Sequence, residues 1–382
     1  MRSDLFTDEQ ELFRDSVREF VDREVAPYVE QWERAGRIDP KLWRTAGEQG
    51  LLGLAVPEDF GGGGTADYRF RCVIMEELAR VGAASVNVAL GGFDDLIGPY
   101  LVDLGTEDQK RRWLPGLCSG EKGAAIAMTE PGAGSDLRGI RTTAVRDGAD
   151  WVLNGSKTFI TGGGRADVII VVACTDPEAG SRGFSLFVVE GGMPGFTRGR
   201  ALEKLGQRAE DVSELFFDDV RVPAAHLLGV EGGGFGHLME RLPKERMSIA
   251  YYGLAAAEAA LRWTVEYTKE RRAFGRPVAE YQNTKFTLAE LATELDVTRA
   301  YLDRAVLALN EGRLSGIDAA KAKWWATELQ QRVINRCLQL HGGYGYMREY
   351  PVARAFVDAR VQTIYGGTTE IMKEIIGRDL VK

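Results

Sequence analysis

The stretch Leu242–Gly275 constrains this chain more than any other, because it reads as one long helix that is apolar nearly all round. Between Met247 and Leu261 the only charged residue is Glu258, and a helix without a polar face has to be buried among others. Pro243 suits a first helical turn, where its missing N–H costs nothing, so the helix is expected to start there. Glu245 shares a helical line with Ile249, Tyr252, Ala256 and Trp263. A carboxylate on such a line is expensive unless it is partnered or used. Read alone, the segment is a core helix with a charged fringe, Glu245 sitting at an N-terminus where the dipole favours it. At the far end Lys269, Glu270, Arg271 and Arg272 form a charged exit before Phe274-Gly275.

A chain of 382 residues is too long for one ordinary core, and two or three domains are expected. The first third reads as helical. Thr7–Gln10 has the spacing of a capping box, Leu12, Phe13, Val17, Phe20 and Val21 follow at helical period, and further helices are expected over Phe70–Val81, Val86–Leu104 and Glu107–Leu117. Near Gly123 the pattern changes to short apolar runs: Ala124–Met128, Trp151–Leu153, Lys157–Ile160, Val168–Ala173, Phe184–Val189 and Leu215–Val222. Asn154-Gly155 predicts a tight hairpin turn. Strands follow strands without helices between them, which predicts an antiparallel β-domain. From Phe235 helices return: Leu288, Leu291, Leu295, Leu302, Val306 and Leu309 share a face, and Ile317–Leu340, Ala353–Arg360 and Glu370–Leu380 complete an antiparallel bundle. The expected fold is α+β, with an N-terminal α-helical domain (1–121), a central antiparallel β-domain (122–230) and a C-terminal α-helical bundle (231–382).

The net charge of −8 argues against a protein that tracks nucleic-acid phosphates. No run approaches the length of a membrane span, and Met1–Gln10 lacks the apolar core of a leader. Cys72, Cys118, Cys174 and Cys337 are scattered without a CxxC, as in a reduced, cytoplasmic protein. The three histidines, His226, His237 and His341, form no metal-binding or triad spacing, and no metal is expected.

The most informative loop is Thr129–Asp136, TEPGAGSD. Gly132 and Gly134 permit close backbone approach, but Leu137 stands where a dinucleotide fingerprint needs a small residue, and no βαβ unit surrounds it. AMTEPGAGSD, KTFITGG, ERRAFGRPVAEYQ, QLHGGYGYMREYP and TIYGGTTEIMKEIIGRDL occur here in one order. In that order and at those spacings the chain resembles the acyl-CoA dehydrogenases over essentially its whole length, most closely their long-chain subgroup.

The resemblance implies an FAD flavoprotein of fatty acid β-oxidation, with an N-terminal α-domain, a β-domain and a four-helix bundle. It places Ile126, Met128, Thr129, Gly134 and Ser135 on the flavin, with Ser135 also near the thioester substrate. Phe159, Ile160 and Thr161 flank the ring, and Phe159 replaces a frequent Trp. It sends Arg271 to the FAD pyrophosphate of a neighbouring subunit, a fit for a bidentate guanidinium. Phe274, Gln282, Gln339, Gly342 and Gly343 join it, and Thr368, Thr369 and Glu370 meet the cofactor from the other side. A homotetramer, a dimer of dimers, is implied, as is an electron-transfer flavoprotein as electron acceptor.

Most members carry the catalytic Glu where this chain has Gly366. The long-chain and isovaleryl branches place it instead on the bundle helix, immediately before an arginine, and Glu245-Arg246 matches that position. The absent Glu and the present Glu agree. The implied reaction is α,β-dehydrogenation of an acyl-CoA to a trans-2-enoyl-CoA, with Glu245 as base and FAD N5 as hydride acceptor. The backbone N–H of Gly366 serves the thioester oxygen, and Gly366, Gly367 and Arg246 serve the substrate, Arg246 at its CoA portion. Gly91 and Gly92 are expected to leave room for the acyl chain. Asp94 and Asp95 have no role in that reading, and solvent is the simplest place for them. Competing readings are a same-fold enzyme acting on a carrier-protein thioester, a flavin oxidase or monooxygenase, and a non-catalytic or DNA-binding relative. The acidic balance and the placement of Glu245 count against the last.

Overall fold

The computed structural model describes residues 4–382. Seven helices come first: α1 (Asp8–Glu24), α2 (Val29–Ala35), α3 (Lys41–Glu48), α4 (Tyr68–Arg80), α5 (Ala84–Gly91), α6 (Gly98–Leu104) and α7 (Glu107–Cys118). The capping box at Thr7 and Gln10 forms as its spacing predicts. Between α5 and α6 the residues Gly92–Ile97 wind as a π-helical segment, a form that concentrates at functional sites.

The middle of the chain is a sheet of β1 (Ala124–Ala127), β2 (Thr143–Asp147), β3 (Asp150–Thr161), β4 (Val168–Cys174), β5 (Phe184–Glu190), β6 (Phe196–Ala201), β7 (Val212–Pro223) and β8 (Leu227–Leu228). Its strand order is β6-β7-β3-β2-β4-β5-β8, with β1 beside β4. Most pairs are antiparallel, but β1 runs parallel to β4, and β2 meets β4 in parallel at Thr143 and Cys174. No hairpin ties β1 to β4, so nothing forces them antiparallel.

The hairpin expected at Asn154-Gly155 is not there. β3 runs straight through it, and the tight turn is Gly148-Ala149, where Asp147 pairs with Asp150. Asn154-Gly155 is instead a bulge against β7. The Asn154 side-chain amide exchanges hydrogen bonds with Asp219, and a Cβ on Gly155 would lie 2.5 Å from Thr142 Oγ1.

The C-terminal part is α8 (Gly234–Glu270), a short hairpin of β9 (Arg272–Ala273) and β10 (Arg276–Pro277), then α9 (Gln282–Asn310), α10 (Gly316–His341), α11 (Pro351–Ala359) and α12 (Thr369–Leu380). The long helix therefore starts at Gly234, before Pro243, and ends at Glu270. Buried Leu238 and Leu242 carry it across a proline that removes one N–H from its interior. Arg271 is already extended, and Phe274-Gly275 form the hairpin tip at φ 49° and 82°. The middle of α8 is core as predicted, with Met247, Ala250, Tyr251, Leu254, Ala257 and Ala260 fully buried. One core joins the N-terminal helices to a face of the sheet, and a second joins α4 to the bundle. Among the described residues no helix is long and apolar enough to cross a membrane.

Candidate active site

Glu245 lies in the interior of α8, half-buried as a residue, with an Oε2 that is out of solvent and has no hydrogen-bond partner among the described residues. Desolvation drives its carboxyl up to about 7, against the pull of Arg246 and Lys323, and Asp95 adds to the rise. Tyr100 on α6 and Tyr365 are phenols that feel the Glu245 charge in turn. A lone carboxylate poised near neutrality is suited to accept a proton.

Facing it is the turn before α12. Gly366 and Gly367 sit at φ 64° and 101°, a conformation that glycine takes without steric cost. A Cβ placed on Gly366 would lie 3.5 Å from Glu245 Oε1 and 2.4 Å from Ile249 Cδ1. The two positions that the family resemblance offers for a base thus approach each other from different elements. The Gly366 carbonyl accepts from Arg246 Nε at 3.4 Å and the Gly367 carbonyl from Lys323 Nζ at 2.6 Å. Among the described residues the Gly366 N–H donates to no protein group. At least part of the Arg246 guanidinium therefore serves this turn.

This convergence gives a first expected result. In Glu245→Gln/Gly366→Glu the new carboxylate enters the space beside the substituted amide once the end of Ile249 rotates away. In the reaction that the family resemblance implies, the double variant should bleach a bound flavin with an acyl-CoA at least about tenfold faster than Glu245→Gln alone. The positive φ at 366 costs about 1 kcal/mol and limits the recovery.

The wall behind Glu245 corrects two expectations. Asp94 and Asp95 do not face solvent; both are buried on the π-helical segment. Asp95 accepts from Arg71 Nε (2.9 Å), Tyr68 Oη (3.0 Å) and Ser248 Oγ (2.5 Å). Asp94 accepts from the Gly53 and Leu54 N–H groups, and burial raises its carboxyl to about 6. Gly91 makes room for Arg71 and not for an acyl chain, because a Cβ there would lie 2.0 Å from Arg71 Nη2. At Gly92 nothing lies within 4 Å of that position.

The residues expected at the cofactor form two groups. In the first, the loop after β1 is fastened to the end of β3: Thr158 N–H donates to Thr129 O, and Lys157 Nζ to Met128 O and Glu130 Oε1. A second bulge in β3 turns Phe159 outward at φ 59°, leaving it 66% exposed. Thr129 is half-buried, Gly134, Ser135 and Thr161 are exposed, and Ile126 lines the buried side. The Ile160 side chain is buried in the sheet core, which leaves its backbone for a ligand.

In the second group, Arg271, Gln339, Gly342 and Gly343 line a cleft of about 510 Å³ with Tyr267 and Tyr344. The Arg271 guanidinium lies 5.5 Å from the Tyr344 ring centre, and nothing stands within 4 Å of a Cβ on Gly342 or Gly343. Open glycine backbone beside an arginine fits a diphosphate. Phe274 projects at 97% exposure, and Gln282 and Glu370 are exposed. Thr368 caps α12 through Ile371 N–H. Thr369 is buried and its hydroxyl donates to Glu328, so toward a ligand it has only its lone pairs and its backbone to offer. The cleft does not include Thr129 or Phe159. Sequence reasoning missed Glu130, Lys157 and Lys323. The signal for Lys323 is its helical line with Ala319, Ala320 and Ala326, all buried, whereas Lys321 two residues earlier is exposed.

A carboxylate with one buried, unpartnered oxygen faces an open turn amide and can accept a proton, and the glycine-arginine cleft suits a diphosphate-bearing ligand. Residues 7–121 match the acyl-CoA dehydrogenase N-terminal domain, 125–220 the middle domain and 232–381 the C-terminal domain. The mitochondrial long-chain specific acyl-CoA dehydrogenase of Sus scrofa is 50% identical over 379 residues, covering 99% of this chain and 87% of its own length. The crystal structure of an acyl-CoA dehydrogenase from Geobacillus kaustophilus superposes with a TM-score of 0.95 at 47% identity, covering 98% of each chain. A glutaryl-CoA dehydrogenase from Mycobacterium smegmatis, solved in complex with FADH2, superposes with a TM-score of 0.92 at 31% identity, covering 98% of this chain and 95% of its own. The chain belongs to the acyl-CoA dehydrogenase family. It is an oxidoreductase of acyl-CoA, and its cofactor is FAD.

Proposed function

We propose that this enzyme removes the α-proton of a saturated acyl-CoA with Glu245 and forms the trans-2-enoyl-CoA. The observation that carries the reading is Glu245 at the Gly366 turn, with Oε1 3.5 Å from a Cβ placed on Gly366 and a buried Oε2 that has no hydrogen-bond partner among the described residues. The α-proton of a thioester is only weakly acidic, so charge develops on its carbonyl oxygen as the proton leaves. The Gly366 N–H, which has no acceptor among the described residues, receives that oxygen. Arg246 and Lys323 hold the turn by its two carbonyls while this happens. Ile249 Cδ1 fills the space where a Cβ on Gly366 would stand, next to the carboxylate. Bound FAD supplies the acceptor for the β-hydride. Phe159 and the Met128–Thr129 segment form the β-domain face against which the cofactor rests, and Arg271 with Gln339 holds a diphosphate.

The cleft of Arg271 excludes Phe159, which supports a cofactor shared between copies of the chain and hence an oligomer. The long-chain relative at 50% identity supports a long acyl chain as substrate. An electron-transfer flavoprotein takes the electrons onward, and four free cysteines suit a reducing, cytoplasmic setting.

The test is anaerobic flavin bleaching by saturated acyl-CoAs of increasing length. Bleaching should rise with chain length to a long-chain optimum. Its rate should climb with pH through about 7 and level off above it, because Glu245 works only after losing its proton. Absence of bleaching with every acyl-CoA, or rapid peroxide formation in air, would refute the dehydrogenase reading in favour of a carrier-protein substrate or an oxidase.

A further inference from the structure

We propose that Lys323 is a positioning residue for the dehydrogenation: its ammonium pins the Gly366–Gly367 turn by a carbonyl and sets the electrostatic field at Glu245. The inference rests on Glu245 being the base and adds a residue that decides how well that base works.

Lys323 sits in the interior of α10 and is fully buried, among the largest side chains in the molecule with no solvent contact. On its own face of the helix it lies with buried Ala319, Ala320, Ala326 and Thr327, a setting that packing alone would fill with an apolar chain of that length. An ammonium there is costly, and burial lowers its pKa to about 8. Its one described hydrogen bond, 2.6 Å long, goes to Gly367 O, and not to a carboxylate that would neutralise it. The adjacent carbonyl, Gly366 O, is held by Arg246 Nε. Two consecutive peptide groups are therefore anchored by their oxygens to two cations on different helices. A turn of two glycines at positive φ has little stiffness of its own. The two anchors supply it, and they leave the Gly366 N–H uncommitted among the described residues.

The same ammonium acts on the base. The groups that face Glu245 are Arg246 on α8, Lys323 on α10, Asp95 on the π-helical segment, Tyr100 on α6 and Tyr365 beside the turn. Those that face Lys323 are Glu245, Arg246, Glu328 and Glu370. Only Arg246 and Lys323 oppose the rise that burial and Asp95 impose on Glu245. Loss of Lys323 therefore moves Glu245 to a higher pKa.

The experiment compares FAD-loaded wild type with Lys323→Gln, Lys323→Met and Lys323→Arg. It follows anaerobic bleaching by hexadecanoyl-CoA across pH, and binding of trans-2-hexadecenoyl-CoA through the flavin spectrum. Lys323→Gln keeps a donor for Gly367 O without the charge, and should move the ascending limb of the pH profile alkaline by about one pH unit. Lys323→Met should move it equally and also weaken enoyl-CoA binding, about tenfold, because the turn is unpinned. Lys323→Arg should keep the wild-type limb. If Lys323→Met fails to hold FAD, the Gln and Arg variants decide the matter alone. An unmoved limb in Lys323→Gln overturns the proposal, whatever happens to thermal stability. Wild-type bleaching in Glu245→Gln overturns the base assignment instead. A dead Glu245→Gln with an unmoved Lys323→Gln limb removes only the role given to Lys323.

Discussion

Glu245→Gln should slow flavin bleaching by a preferred acyl-CoA about 10²–10⁴-fold while FAD stays bound, the range that a positioned general base contributes. The amide fills the same volume and cannot take the α-proton. The substitution should also stabilise the protein, in a pH-dependent way. The folded pKa of Glu245 is raised to about 7 from an ordinary value of 4.5. Below that ordinary value the carboxyl is protonated in both folded and unfolded chains, and it costs nothing. As pH climbs toward 7 the unfolded chain ionises and the folded one resists, so wild type loses stability that the glutamine variant keeps. Above about pH 7 the variant should be ahead by roughly 1–3 kcal/mol, and near pH 4.5 the two should coincide. Urea unfolding at both ends of that range measures the difference. A variant that is inactive yet no more stable at alkaline pH would mean that the carboxylate is better solvated than its surroundings imply.

Lys157→Met should destabilise the protein by about 3–5 kcal/mol, because it leaves a buried carboxylate without its cation. Lys157 Nζ lies 2.7 Å from Glu130 Oε1, with side chains 0% and 6% exposed. Glu130 also accepts from Arg141 N, Thr142 N and Thr142 Oγ1, so it cannot turn away to water when Lys157 is gone. Lys157 holds Met128 O as well, and the strand that leads to the exposed Phe159 is tied through it to the segment proposed to face the cofactor. FAD retention should fall together with thermal stability. In Lys157→Met/Glu130→Gln the orphaned charge is removed too, and part of the lost stability should return. A double variant no better than Lys157→Met would place the cost in packing and not in charge.

The parts of this fold that were legible in sequence are those fixed by local periodicity. The apolar surface of α8 and the leucine face of α9 announce burial because a helix brings every third or fourth residue together. The convergence of Glu245 and Gly366 was legible only through the family pattern, since 121 residues separate them in the chain and no period connects them. What sequence misread are residues whose meaning depends on a distant partner. Asn154-Gly155 has the chemistry of a turn, but Asp219 and Thr142 use it as a bulge. Asp94 and Asp95 carry charge and so suggested solvent; the Gly53 and Leu54 amides, Arg71 and Ser248 bury them. Gly91 looked like space for a ligand and is space for a guanidinium. Pro243 looked like a helix start because a proline is cheapest there, and packing of Leu238 and Leu242 overrode that preference.

The 3.5 Å between a Cβ on Gly366 and Glu245 Oε1 also bears on what a second carboxyl group would meet there. A chain holding glutamate at both positions would bring two carboxyl groups to one point, where like charges force them to share a proton. One of the pair would stay ionised and able to serve as base.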